Sequence, residues 1–181
     1  MRIPDVVTKS KTVRVWDPLV RLFHWSLVLS LSANAFFTRG DSSMHHWIGF
    51  FALTLVLARI VWGFAGSAYA RFSSFPPSIS GSIEQMSDIA VGRKTVHAGH
   101  TPLGALMIYN LLITVIVICV SGYLMTTDAF WGTEWTEVLH ETAVTWAELS
   151  AAVHIVAVVV ESFRTKVNLP RSMITGYKNL P

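Results

Sequence analysis

The chain has 181 residues, of which 52% are hydrophobic and 14% charged, with a mean hydropathy of +0.49. That balance is too apolar for an ordinary water-soluble domain of this length and specifies one integral membrane domain over residues 1–181. A net charge of +3 says little without its distribution, and the single cysteine, Cys119, excludes an internal disulfide, a CxxCH haem attachment and a cysteine zinc cluster.

A basic segment with Arg2, Lys9, Lys11 and Arg14 leads into a first apolar run over residues 19–37, which contains Arg21 and His24. Ser-Ala-Asn-Ala near its end loosely imitates a cleavage site. The run is nevertheless too long and too polar for the h-region of a signal peptide, and reads as an uncleaved span. A second run covers residues 45–64, opening on His45 and His46 and carrying Arg59 near its end. Residues 67–99 form the one sizeable connection. After Pro76-Pro77, residues Ile79, Ile83, Met86 and Ala90 recur at i, i+4, i+7 and i+11, the pattern of a short amphipathic helix lying on the membrane surface. Gly81 and Gly92 weaken that helix. Thr101 as cap and Pro102 at the first helical position start the third run, residues 103–124, which is free of charge and holds Cys119 as a small buried side chain. The fourth run covers residues 140–163. Each run approaches or exceeds the ~20 residues that cross a bilayer.

Lys and Arg set the orientation. Arg2, Lys9, Lys11, Arg14 and Arg21 precede or open the first span, Arg71, Arg93 and Lys94 lie in the 67–99 loop, and Arg164, Lys166, Arg171 and Lys178 follow the fourth span. The other two connections carry Arg39 alone. The positive-inside rule then gives an all-α membrane protein, a four-transmembrane-helix bundle with both termini and the 67–99 loop cytoplasmic. The opposite side presents Asp41, Asp128, Glu134 and Glu137, with Trp131 and Trp135 as interface anchors. The basic residues trace one membrane face rather than a nucleic-acid patch. No internal repeat, phosphate loop or nucleophile elbow is present.

Ionisable groups within spans are costly and usually face the bundle interior. His140 and His154 lie 14 residues apart on the fourth run, which returns them to nearly one helical face roughly 21 Å apart along the axis. Depth pairs His154 with His24 on the inner side, and His140 with His45 or His46 on the outer side. Neutral imidazole is a good haem-iron ligand, and two of them make a six-coordinate iron suited to electron transfer. Taken singly, each histidine could instead bond a neighbouring helix. The paired depths favour ligation.

The segments WDPLVRLFHW, HHWIGFFALTLVLARIVWGFAG, GHTPLGALM, HETAV…VHIVAVV and NLPRSMITGYK resemble the bacterial cytochrome b561 family, which includes the b-type cytochrome subunits of nickel–iron hydrogenases. The resemblance runs over residues 13–178. It implies a four-helix bundle with two bis-histidine haem b groups: His24 and His154 on the cytoplasmic-side iron, His140 and a second-span histidine on the periplasmic-side iron. In the family pattern that histidine precedes a glycine by four residues and an arginine by fourteen. Gly49 and Arg59 satisfy this for His45, which is favoured over His46. Gly49 lies one turn from His45, where a missing side chain lets the porphyrin edge approach the backbone.

Arg59 either snorkels to the interface or neutralises a propionate of the inner haem, and Arg21 poses the same choice. His97 and His100 belong to a juxtamembrane turn or contact a quinone head or propionate. Glu148 lies about 80° from the His140 direction. It either partners a residue such as Asn34 or Asn110 or serves as a protonatable group near a quinone.

The leading reading is a di-haem b electron-transfer subunit in the bacterial inner membrane. It would link the quinone pool of a respiratory chain to a periplasmic redox protein, such as a c-type cytochrome or a hydrogenase, that docks on residues 128–139. Two alternatives compete. A superoxide:quinone oxidoreductase, an activity known within the family, is disfavoured by the acidic outer surface, which repels anions. A haem-free scaffold is disfavoured by the histidine pairing. Homo-oligomerisation stays open.

Overall fold

The computed structural model describes residues 11–180 of the chain. Arg2 and Lys9 of the basic N-terminal segment lie outside the described residues. Four helices are long and apolar enough to cross a membrane: α1 (Pro18–Phe37), α2 (Ser43–Ala65), α4 (Pro102–Leu124) and α5 (Glu134–Thr165). The surface helix α3 (Ile79–Ala90) follows a 3₁₀ turn at Phe72–Ser74 and lies where the i, i+4, i+7, i+11 pattern predicts it. A short helix α6 (Leu169–Thr175) comes after the fourth span.

Local chemistry starts each helix. Asp17 caps α1 by accepting from the Val20 amide at 2.9 Å, with Pro18 at the first helical position. Ser42 caps α2, and Thr101 caps α4 ahead of Pro102 as the sequence predicts. The fourth span differs from the prediction: it begins at Glu134, six residues before His140, and runs for 32 residues. The added turns are polar, and Glu134 and Glu137 in the first turn face the positive end of the helix dipole. At 1.5 Å per residue α5 is about 48 Å long, against a hydrocarbon core of about 30 Å.

Two four-residue strands, absent from the sequence-based reading, close the molecule. β1 (Lys11–Arg14) pairs antiparallel with β2 (Tyr177–Leu180), placing Val13 opposite Lys178. Both ends of the described chain therefore meet at one end of the bundle, the ribbon end, together with the 67–99 segment. Gly176 makes this closure sterically feasible. Its φ is +90°, its carbonyl accepts from Val15 and Trp16, and a Cβ there would lie 2.7 Å from the Trp16 carbonyl oxygen.

The apolar core lies where α1, α2 and α4 meet: Val56, Leu112 and Val115 are buried among Phe23, Leu27, Leu31, Ile60, Ile108 and Ile116. Most other large apolar side chains point outward, among them Leu29, Phe36, Phe64, Val156 and Phe163, as a bundle solvated by lipid requires. The helices pack in series, α1 on α2, α2 on α4 and α4 on α5. Among the described residues no comparable seam joins α5 back to α1.

Candidate functional site

The histidines gather toward the two ends of the bundle. At the far end, His45 sits in the first turn of α2 and His140 in the second turn of α5. Their ring centroids are 6.3 Å apart. Two imidazoles sharing one metal atom, each about 2 Å from it through a ring nitrogen, would have centroids roughly 6 Å apart, so the pair has the separation of an axial ligand set. His46 lies 6.2 Å from His45, and it is the His45 ring that stands against His140.

Each far-end ring is fixed through Nδ1. His140 Nδ1 lies 3.0 Å from the Ile118 carbonyl and 3.2 Å from Ser121 Oγ. A carbonyl can only accept, so Nδ1 carries the proton and Nε2 is left as the free lone pair. Gly122 makes room for this ring, since a Cβ there would lie 3.0 Å from His140 Cε1. His45 Nδ1 lies 3.1 Å from Thr38 Oγ1, which itself donates to the Asn34 carbonyl at 3.0 Å. With the Thr38 proton on the Asn34 carbonyl, the Thr38 oxygen is the acceptor for an Nδ1–H tautomer of His45. A Cβ at Gly49 would meet nothing within 4 Å, leaving open space beside the pair. The Gly49 carbonyl accepts from Cys119 Sγ at 3.5 Å, which accounts for the half-buried cysteine.

At the ribbon end, His24 of α1 and His154 of α5 lie close enough for their charges to interact. His24 packs edge-on against Trp25, with centroids 5.1 Å apart. Its Nδ1 is buried without a hydrogen-bond partner, a state that costs about 1–3 kcal/mol if nothing else satisfies the ring. An imidazole that no hydrogen bond to the protein engages, with a second imidazole near enough for their charges to interact, suits a site completed by a metal. Among the described residues no three His, Cys, Asp or Glu side chains gather into a metal cage. The histidines come in twos, the number an axial haem site uses.

Cations and aromatic rings enclose the ribbon end. Arg59 does not snorkel to the interface: it is 5% exposed, donates to the Ala70 carbonyl at 3.0 Å and lies over Phe72. Its Nη1 is buried and unpartnered, as is Arg21 Nε. Both atoms suit an anionic group. His100 belongs to the juxtamembrane turn, its ring 4.1 Å from Phe75 and 4.7 Å from Trp16. Burial, reinforced by the Lys178 and Arg59 charges, pushes it down to about 3, so it is neutral at physiological pH. Burial likewise pulls Lys178 down to about 8, against the opposing attraction of Glu161. Lys178 donates to the Gly99 and His97 carbonyls at 2.8 and 3.3 Å. Burial would raise Asp17, but hydrogen bonds from Ser67, Val20 and Trp62 outweigh it and hold the carboxyl below its usual range. His97 keeps a buried, unpartnered Nδ1 and borders an open cleft of about 560 Å³ with Tyr69, Ser74 and Gly99.

Glu148 is exposed on α5, and neither asparagine considered as its partner reaches it. Asn34 bonds the His45 carbonyl, while Asn110 bridges Ser150 and Trp146 at 2.9 Å each. Thr38, Ser121 and Gly122 are the site residues that sequence reasoning missed. Nothing in their spacing distinguishes them from other small residues of the spans.

Paired imidazoles inside an apolar four-span bundle suit a membrane cytochrome of the b type. Residues 15–176 match the family model described as prokaryotic cytochrome b561. The chain belongs to that family, and is thereby a haem b-binding membrane electron-transfer protein. No curated protein and no solved structure matches it.

Proposed function

We propose that the chain conducts electrons across the bacterial inner membrane between two haem b sites. His24 and His154 would hold one at the ribbon end, and His45 and His140 the other at the far end. The carrying observation is the His45–His140 ring pair at 6.3 Å, with the second α5 histidine 14 residues further on and near enough to His24 of α1 for their charges to interact. Haem iron between two neutral imidazoles exchanges single electrons while staying six-coordinate. The chain supplies the rest: Nε2 atoms left free at the far end, an apolar sheath of Val, Leu and Phe, and the open space at Gly49. Arg59 Nη1 and Arg21 Nε, unpartnered at the ribbon end, would bind propionates there.

Arg14, Arg21, Arg71, Arg93, Lys94, Arg164, Lys166, Arg171 and Lys178 collect at the ribbon end, and the positive-inside rule supports a cytoplasmic position for it. The cleft beside His97 would receive a quinone head. At the far end, Asp128, Trp131, Glu134, Trp135 and Glu137 are exposed around the start of α5. They form an acidic, aromatic surface for a periplasmic redox protein, a c-type cytochrome or a hydrogenase. The superoxide reading loses further support because Arg39, the sole cation of the two far-end connections, is paired with Asp41 at 3.1 Å.

The test is to purify the protein, count haem b per chain and compare its reduction by quinol and by superoxide. Two haems and reduction by quinol are expected. One haem or none would overturn the pairing, and reduction by superoxide with no response to a redox protein partner would favour the self-contained enzyme.

A further inference from the structure

The two histidine pairs differ in how their rings are held. Nδ1 of both far-end imidazoles lies within hydrogen-bond distance of oxygen. His140 donates to the Ile118 carbonyl, with Ser121 Oγ alongside; Ser121 spends its own proton on the Val117 carbonyl at 2.7 Å, so its lone pair faces the ring. His45 Nδ1 pairs with the hydroxyl of Thr38, which in turn has the Asn34 carbonyl as acceptor. At the ribbon end His24 Nδ1 is buried without a partner, and His154 makes no side-chain hydrogen bond among the described residues. An imidazole that donates from Nδ1 is a stronger base at Nε2 and stabilises the more highly charged ferric iron.

Fixed charge acts in the same direction. The ribbon end holds the buried Arg59 guanidinium, and Arg21 one turn from His24, both of which favour the state that carries the extra electron. The far end carries Glu134, Glu137 and Glu141 on the first turns of α5 around His140, and its cation Arg39 is neutralised by Asp41.

We infer that Thr38 and Ser121 are positioning residues for the far-end ligands: by locking His45 and His140 as Nδ1–H tautomers they set the far-end haem at a lower reduction potential than the ribbon-end haem. The far end is then the more reducing station, which suits a partner that donates electrons there over one that accepts them. This inference rests on the two-haem reading above.

The experiment is a potentiometric titration of the purified two-haem protein followed by its visible absorption bands, on wild type, Thr38→Val, Thr38→Ser and Ser121→Ala. Thr38→Val removes the hydroxyl at nearly constant volume. It should raise the midpoint of the lower-potential component, shifting its ferric-to-ferrous ratio at fixed potential by about tenfold, and leave the other component in place. Thr38→Ser should restore the wild-type titration. Ser121→Ala should give a smaller shift of the same sign, since Ile118 still accepts from His140. Selective loss of one haem in Thr38→Val, with the other retained, would equally support the positioning role.

A His24→Ala chain that keeps only the lower-potential component supports the order of the two sites; one that keeps only the higher overturns it. Unchanged midpoints in Thr38→Val and Ser121→Ala, or equal shifts of both components, refute the inference. A wild-type count other than two haems refutes instead the reading beneath it.

Discussion

Acidification should loosen the ribbon end through one side chain, His100. Its ring is enclosed by Phe75 and Trp16 and holds its proton only below about 3, whereas an unfolded histidine titrates near 6.5. The folded value is depressed and the group is a base. Above pH 6.5 both states are neutral and the residue contributes no pH dependence. As the pH falls below 6.5 the unfolded chain takes up a proton that the folded chain refuses, and stability declines until about pH 3. At pH 4.5 the gap is two pH units, or about 3 kcal/mol at 1.36 kcal/mol per unit. The assay is thermal unfolding in detergent micelles at pH 7, 5.5 and 4.5, followed by tryptophan fluorescence, for wild type and His100→Phe. Phenylalanine keeps the stacking on Phe75 and Trp16 and cannot titrate. The two proteins should match within about 1 kcal/mol at pH 7 and diverge on acidification, the variant ahead by about 3 kcal/mol at pH 4.5. Other groups titrate equally in both, so the difference isolates His100. Parallel pH profiles would refute the argument.

At the far end, His45→Ala should lose one of the two haems while His46→Ala keeps both, read from pyridine haemochrome spectra; the opposite result would sink the assignment of the α2 ligand. Gly176→Ala should destabilise the protein by about 2–4 kcal/mol, because a Cβ at φ +90° would also press on the Trp16 carbonyl oxygen at 2.7 Å. A variant melting at the wild-type temperature would show that β1 and β2 contribute little to the fold.

What could be read in the sequence follows from what the bilayer enforces. Each run needed nearly twenty apolar residues, so α1, α2 and α4 emerge within two residues of their predicted bounds. The helix over residues 79–90 was legible because its apolar residues recur at helical spacing. The start of α5 was not legible: its first turns are acidic and polar, and hydropathy registers only the part that enters the membrane. The β1–β2 pairing escaped because KTVR and YKNL are four-residue segments over 160 positions apart with little alternation. Arg59 was ambiguous because a snorkelling arginine and a buried one share the same local sequence; only the folding of the 67–75 segment over it decides. Thr38 and Ser121 were hidden because Ser and Thr in a span ordinarily bond the carbonyl of the preceding turn. Both do so here, and their second role depends on a ring brought from another helix.

The ribbon end also orders the events of biosynthesis. Trp16 donates to Ser172, Arg21 to Ile174, Trp25 to Met173, and Lys178 grips the His97–Gly99 turn. The start of α1 and the turn before α4 are therefore pinned by residues synthesised after all four spans. While the ribosome is still extending the chain, the helices can enter lipid and pair, but the neighbourhood of His24 has neither its floor nor its clasp. Completion of that end must wait for residues 172–178 to emerge and fold back, whereas Thr38, His45, Ser121 and His140 are all in place as soon as α5 has been inserted.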